Sequence, residues 1–83
     1  MLKIKDVTRL NAFGYMHEKP TGFSGFYSKE FVDNEAEEYS HVFVNEKTGI
    51  VSIDGDAMNE LLDEVFELHA AGLLVRVSND EKD

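Results

Sequence analysis

The sequence of residues 56–77, DAMNELLDEVFELHAAGLLVRV, decides the fold. Its hydrophobic side chains recur at spacings of three and four residues, which is typical of an amphipathic α-helix. They are Met58, Leu61, Leu62, Val65, Phe66 and Leu68. Gly72 favours a helix end, because glycine adopts the left-handed conformation at low cost. The stretch therefore predicts a helix over residues 56–71, followed by a short strand over residues 73–78.

The hydrophobic stripe of this helix is expected to be buried against the sheet, and its acidic residues are expected to face water. They fall on the side opposite the hydrophobic stripe, and they are Glu60, Asp63, Glu64 and Glu67. A charged helix face often does no more than keep the helix solvated. The alternative is a binding surface whose carboxylates imitate phosphates. At the helix start, Asp54 or Asp56 is expected to accept hydrogen bonds from the first free amides.

A β-hairpin is predicted upstream of the helix. Residues 41–44 and 50–53 are two β-prone runs, and the five-residue loop between them ends at Gly49. This loop length favours a type I turn closed by a left-handed glycine. One face of the hairpin is richer in hydrophobic side chains and should meet the helix. The acidic segment before it, DNEAEE over residues 33–38, is expected to be a solvated connection.

The first third of the chain is less regular. Residues 2–17 alternate imperfectly, which indicates a bulge near Asp6, two strands that meet there, or a strand covered on both sides. Pro20 and Gly22 favour a turn that would pair residues 13–17 with residues 23–28. Gly25, inside the second of these segments, either weakens the strand or marks a close backbone approach.

These elements together predict an α+β fold. We expect a two-layer sandwich of a mainly antiparallel sheet of four to five strands, with the helix packed on one face. Residues 1–83 should form one domain, because so short a chain cannot divide its core between two. Residues 79–83 lack hydrophobic side chains and are expected to be a frayed tail.

The charge of the chain favours basic partners. The net charge is −9, and the first twenty residues carry four basic and two acidic side chains, so the negative charge lies in residues 21–83. Such a field disfavours direct contact with nucleic acids or anionic membranes. No stretch approaches the roughly 20 apolar residues of a membrane span. A cytoplasmic location is expected, and the small size suits an accessory protein of bacteria or their phages.

Sequence motifs for catalysis, metals or cofactors are missing. There is no cysteine, and Asp54, Asp56 and Glu60 do not complete a calcium-loop pattern. The stretch ELLDEVFELHAAGLLVRV resembles the helix, glycine and wing strand of winged-helix DNA-binding regulators, but a recognition helix needs exposed Lys or Arg and this face is acidic. We therefore expect a non-enzymatic protein with no cofactor and no metal.

Three functional hypotheses follow. The first is a small acidic protein that binds another protein and masks a basic nucleic-acid-binding surface, with contacts from Glu35, Glu37, Glu38, Glu60, Asp63, Glu64 and Glu67. The second is a homo-oligomer that buries an aromatic sheet face, because one helix cannot cover both faces of the sheet. Its interface residues would be Tyr15, Phe23, Phe26 and Tyr27. The third is a small enzyme or ligand-binding domain, in which His17, His41 or Tyr15 would converge with a carboxylate.

Overall fold

Within residues 1–77 the chain forms a four-stranded antiparallel sheet, one α-helix and a separate two-stranded ribbon, which confirms the predicted α+β class. The computed structural model describes residues 1–77, so Ser78 and the predicted tail over 79–83 lie outside the described residues. The elements are β1 (Leu2–Ile4), a 3-10 helix (Val7–Phe13), β2 (Met16–Glu18), β3 (Phe26–Asp33), β4 (Glu38–Asn45), β5 (Val51–Gly55), α1 (Met58–Ala70) and β6 (Leu74–Arg76). The strand order in the sheet is β2-β3-β4-β5.

The central hairpin of the sheet is β3–β4, which pairs from Phe26 opposite Asn45 to Asp33 opposite Glu38. Its turn is the acidic segment over residues 33–38. The Asp33 carboxylate accepts hydrogen bonds from the amides of the second and third residues after it, both at 3.1 Å, so one side chain shapes the turn. Residues 34–37 are exposed, which confirms the predicted solvated connection.

The β4–β5 hairpin is also confirmed. Gly49 closes its loop with φ at 76°, and the Asn45 side chain accepts hydrogen bonds from the Lys47 and Thr48 amides at 2.8 and 2.9 Å. A Cβ atom on Gly49 would collide with the Ile4 carbonyl oxygen. The Ile4 amide in turn donates to the Gly49 carbonyl at 2.8 Å. Glycine at this position therefore permits both the turn and the close approach of β1.

The sheet has one covered face and one open face. On β4, Val42 and Val44 are buried in a core that also contains Leu61 and Leu68 of α1. This covered side is called the inner face, and the prediction that one face of the hairpin meets the helix is confirmed. Side chains alternate along a strand, so the intervening residues of β4 lie on the opposite, outer face. They are Tyr39, His41 and Phe43.

The first segment differs from the prediction. Between β1 and β2 the chain forms a 3-10 helix, and not a bulge near Asp6, a meeting of two strands or a strand covered on both sides. The Asp6 side chain accepts hydrogen bonds from the Thr8 amide and hydroxyl at 3.2 and 2.6 Å, and Gly14 ends the helix with φ at 88°. A 3-10 helix has three residues per turn, so Val7, Leu10 and Phe13 share one side, on which Leu10 is fully buried.

The pairing across residues 20–22 is confirmed in a shorter form. Strand β2 pairs with the start of β3, with His17 opposite Tyr27. Gly25 precedes β3 rather than lying inside it, and it is a point of close approach. A Cβ atom on Gly25 would lie 2.6 Å from the Glu46 carboxyl group, whose Oε2 accepts a hydrogen bond from the Gly25 amide at 3.2 Å.

The end of α1 is as predicted. Gly72 is left-handed with φ at 75°. The Gly72 amide donates to the His69 carbonyl and the Leu73 amide to the Leu68 carbonyl, both at 3.0 Å, which is the Schellman pattern. The following strand, however, does not return to the four-stranded sheet. Strand β6 pairs with β1, and the resulting two-stranded ribbon is joined to the sheet by a bridge between Lys3 and Ile50.

The start of α1 also differs from the prediction, because neither Asp54 nor Asp56 caps it. Ala57 is the N-cap residue, and the helix has no capping hydrogen bond to an N-cap side chain. The Ala57 amide donates instead to the buried hydroxyl of Ser40 on β4 at 2.7 Å. The Asp56 carboxylate accepts from the Tyr39 amide at 3.2 Å. These bonds fasten the helix start to the beginning of β4.

Candidate interaction surface

The predicted partner-binding acids lie at different depths in the protein. Asp63 and Glu67 are exposed on α1, whereas Glu60 is half-buried. In the turn between β3 and β4, Glu35 and Glu37 are exposed and Glu38 is half-buried. Because Asp56 is bonded to Tyr39, the start of α1 lies at the same end of the molecule as this turn. The structure thus brings Glu60 towards the turn acids, and Glu67 lies further along the helix.

Glu64 is not part of any surface, which corrects its predicted exposure. It is only 3% exposed, and its Oε1 atom accepts a hydrogen bond from Nζ of Lys29 at 3.0 Å. Lys29 lies on the inner face of β3 and also donates to the Phe13 carbonyl at 2.7 Å. A buried charge requires a partner of opposite charge and further hydrogen bonds. Glu64 is therefore an internal residue that joins α1 to the sheet.

Tyr15 belongs to the same internal cluster. Among residues 1–77, three side-chain oxygens are buried without a well-formed hydrogen bond: the Tyr15 hydroxyl, Oε2 of Glu64 and, elsewhere on α1, Oε1 of Glu60. Burial raises the pKa of the Tyr15 hydroxyl far above its ordinary value, and the nearby Glu64 carboxylate raises it further. Nζ of Lys29 lies 5.6 Å from the centre of the Tyr15 ring, which favours a cation–π contact. The phenol therefore stays neutral.

The outward side of α1 carries a row of hydrophobic side chains. Met58, Leu62 and Phe66 are 57%, 49% and 70% exposed. Their predicted burial with Leu61 and Leu68 is therefore wrong. Successive residues of an α-helix are turned by about 100°. Leu61, Glu64 and Leu68 occupy the inward side, so residues spaced by four from Met58 point away from the sheet. Met58, Leu62 and Phe66 are called the outward row.

A groove continues from the Phe66 end of the outward row. It has a volume of about 620 Å³ and lies between α1 and the β1–β6 ribbon. Its walls are formed by Leu2, Val65, Phe66, His69, Leu74, Val75 and Arg76. On the other flank of the row, Asp63 and Glu67 are exposed. The helix thus presents apolar side chains with carboxylates on one flank and the imidazole and guanidinium of His69 and Arg76 on the other.

The four aromatic residues predicted at an oligomer interface are separated by the fold. Tyr15 and Tyr27 are buried in the core, which makes them unavailable for such a contact. Phe23 is exposed in the loop between β2 and β3, and Phe26 is half-buried on the outer face of the sheet. The sequence pattern did not reveal that Tyr15 and Tyr27 are buried, because it shows how many aromatic residues there are but not which face of the sheet each ring occupies.

The outer face of the sheet carries a second group of rings. His41 is stacked on Phe43 with ring centres 4.7 Å apart, and Tyr39 meets His41 edge to face and is hydrogen-bonded to its Nδ1 atom. Glu30 and Asp54 lie directly opposite His41 on the two neighbouring strands. Partial burial and then these carboxylates raise the pKa of Tyr39 above its ordinary value.

The histidines lie on separate elements. Nε2 of His17 lies 2.6 Å from Oε1 of Glu46, His41 is on the outer face, and His69 is in the last turn of α1. Tyr15, which the enzymatic hypothesis also invokes, lies in the core beside Glu64. Within residues 1–77, no three His, Asp or Glu side chains are placed to hold a metal ion. The same part of the chain contains no helix with the length and apolar character needed to cross a bilayer.

Comparison with known proteins finds no matching family model, no similar curated protein and no similar solved structure.

Proposed function

We propose that this protein is a non-enzymatic interaction protein that binds another protein through the outward side of α1. The observation that carries the proposal is the exposure of the outward row. Three large apolar side chains stand in line on one helix face and continue into an apolar groove. Contiguous apolar patches on soluble proteins commonly mark interaction sites.

Burial of the outward row in a complex would contribute favourably to the binding free energy. Full burial of one large apolar side chain is worth about 1.5 to 3 kcal/mol before the costs of association are subtracted. Hot spots of interfaces are typically a few such side chains near the centre of the contact. Leu62 has this central place, since Met58 and Phe66 lie one helical turn before and after it.

The charge beside the row favours a basic partner. Asp63 and Glu67 lie on one flank, and the whole chain carries a net charge of −9. Such a field raises the association rate of a cationic protein and repels an anionic one. A protein whose nucleic-acid-binding surface is basic meets this requirement, so the role we propose is to mask such a surface. Glu64 has no part in this contact because it is buried.

Capture from a lysate of the source cells, followed by mass spectrometry, identifies the partner and tests the surface. We expect the double variant Leu62→Ser/Phe66→Ser to capture at least tenfold less of that partner than the native chain. The matched control is Phe23→Ser, which removes an exposed ring from a loop outside the surface. Equal capture by the native chain and the double variant would show that the outward row is not the binding surface.

The outer face of the sheet favours a second candidate, a homo-oligomer. In the described residues this face has no covering element, and it exposes Tyr39 and Met16 beside half-buried Phe26 and Phe43. Glu30 and Asp54 lie among these rings, so face-to-face contact of two copies would bring carboxylates together. This charge makes the outer face the weaker of the two proposed surfaces.

A further inference from the structure

We infer that the partner element bound by the outward row and its groove is an amphipathic helix with a basic flank, an inference that rests on the function proposed above. The outward row supplies the apolar ridge. Met58 and Phe66 are eight residues apart, which corresponds to about 12 Å along the helix axis. Side chains spaced by four residues form the ridges that pack into the grooves of a second helix.

The groove supplies the other wall of the docking site. Val65 and Phe66 of α1 face Leu2 and Val75 of the β1–β6 ribbon across it. A helix has a diameter of about 10 Å with its side chains, so one laid beside the outward row contacts both α1 and the ribbon. The backbone of α1 is hydrogen-bonded within the helix, and β6 offers an extended chain an edge of only three residues. A bound helix brings its own backbone groups already paired.

The two flanks of the site fix the charge of the partner helix. Asp63 and Glu67 are exposed on one flank, whereas Arg76 and His69 lie on the groove side. Lysine or arginine residues of the partner are therefore expected along the Asp63 flank, with apolar residues in the middle. Basic residues on the groove flank would meet the Arg76 guanidinium and be repelled.

A second copy of this chain fits the site less well. If two α1 helices packed antiparallel about a two-fold axis, the flank with Asp63 and Glu67 in one copy would meet the same flank in the other. If they packed parallel, the two helix starts, each beside an acidic turn over residues 33–38, would be brought together. Both arrangements add repulsion to a chain that already carries a net charge of −9.

A synthetic peptide of leucine and lysine tests the inference. The helical peptide has leucines at spacings of three and four, and a control of identical composition alternates leucine and lysine in the pattern of a strand. Binding to the full chain is measured by fluorescence anisotropy. We expect saturable 1:1 binding of the helical peptide and at least tenfold weaker binding of the alternating one, a difference of about 1.4 kcal/mol.

Paired variants assign the binding to the site. Leu62→Ser/Phe66→Ser should weaken binding of the helical peptide at least tenfold, and Asp63→Lys/Glu67→Lys should do the same. Glu35→Lys/Glu37→Lys makes the same change of charge in the turn beside the start of α1, off the flank that carries Asp63 and Glu67, and should change the affinity less than twofold. Equal losses from the two charge reversals would overturn the inference, because binding would then follow net charge alone. Thermal unfolding shows that each variant is folded.

Different results would disprove the helical partner and the proposed function. If Leu62→Ser/Phe66→Ser no longer captures the partner but the helical peptide binds no better than the alternating one, the outward row is the binding surface and the inference of a helical partner is wrong. If the double variant captures the partner normally, the proposed function itself is wrong.

Discussion

Glu64 is an acidic residue that lies on the buried side of α1. It is ion-paired inside the protein with Lys29, whereas its neighbour Asp63 is exposed. Spacing separates the two acids, because Glu64 follows Leu61 by three residues and precedes Leu68 by four, whereas Asp63 lies on another side of the helix. What the local sequence does not contain is the partner that permits burial of the carboxylate, a lysine that lies 35 residues earlier in the chain on β3.

Removal of Glu64 should destabilise the fold. Glu64→Ala leaves Lys29 without its carboxylate partner in a site where its side chain is only 26% exposed. We expect a loss of about 3 kcal/mol in the free energy of unfolding, measured by urea denaturation. The control is Asp63→Ala on the same helix, which should change it by less than about 0.5 kcal/mol. Equal effects of the two substitutions would contradict the internal ion pair.

Glu46 should make stability depend on pH. The hydrogen bond from His17 lowers the pKa of Glu46 below its ordinary value, burial opposes this, and Lys19 adds to the lowering. A lowered native pKa stabilises the fold above the unfolded pKa of about 4.3, and this contribution is lost as the pH falls through the native value. We expect the melting temperatures of the native chain and Glu46→Gln to differ at neutral pH and to converge in acid. A difference that does not change with pH would count against this role.

At the level of elements, α1 has two rows of hydrophobic side chains, and in residues 1–77 the four-stranded sheet covers one of them. Leu61 and Leu68 are in the core, and the outward row faces away. The sequence predicts the bounds of the helix and its end at Gly72, because these depend on spacing and local backbone preference. It does not predict which row is buried, since both rows satisfy the helical period. The breadth of the hydrophobic side of α1 was the available signal, because a side this broad cannot be buried completely against one sheet.

Two leucines of α1 test this orientation. Leu68→Ala should lower the free energy of unfolding by about 2 to 5 kcal/mol, because it leaves a cavity in the core. Leu62→Ala should change it by less than about 0.5 kcal/mol, because Leu62 is half exposed and alanine is the better helix former. Denaturant unfolding of both variants measures the difference. Similar losses would mean that both rows are buried.

At the scale of the whole molecule, local patterns predict the elements more reliably than their assembly. The β4–β5 hairpin could be predicted because Gly49 and Asn45 shape the loop locally. The 3-10 helix had a readable signal in the spacing of three between Val7, Leu10 and Phe13. The ribbon of β1 and β6 had none, because it joins residues 70 or more positions apart whose short strands do not specify a partner.

The candidate site could be predicted only in part. The exposed acids Asp63 and Glu67 lie on the helix face where the sequence placed them. The outward row was assigned to the core, so its place beside these acids became visible only with the sheet in position. A surface that combines apolar and acidic side chains depends on which side of α1 the rest of the chain covers, and that is a property of the assembled fold.

Amide NMR of the isotope-labelled protein, titrated with the captured partner, tests whether the outward row and its groove form the binding surface. We expect the largest chemical-shift changes along α1 at Met58, Leu62 and Phe66 and at Val75 across the groove. Changes confined to Tyr39, His41 and Phe43 on the outer face of the sheet, with α1 unaffected, would contradict this expectation.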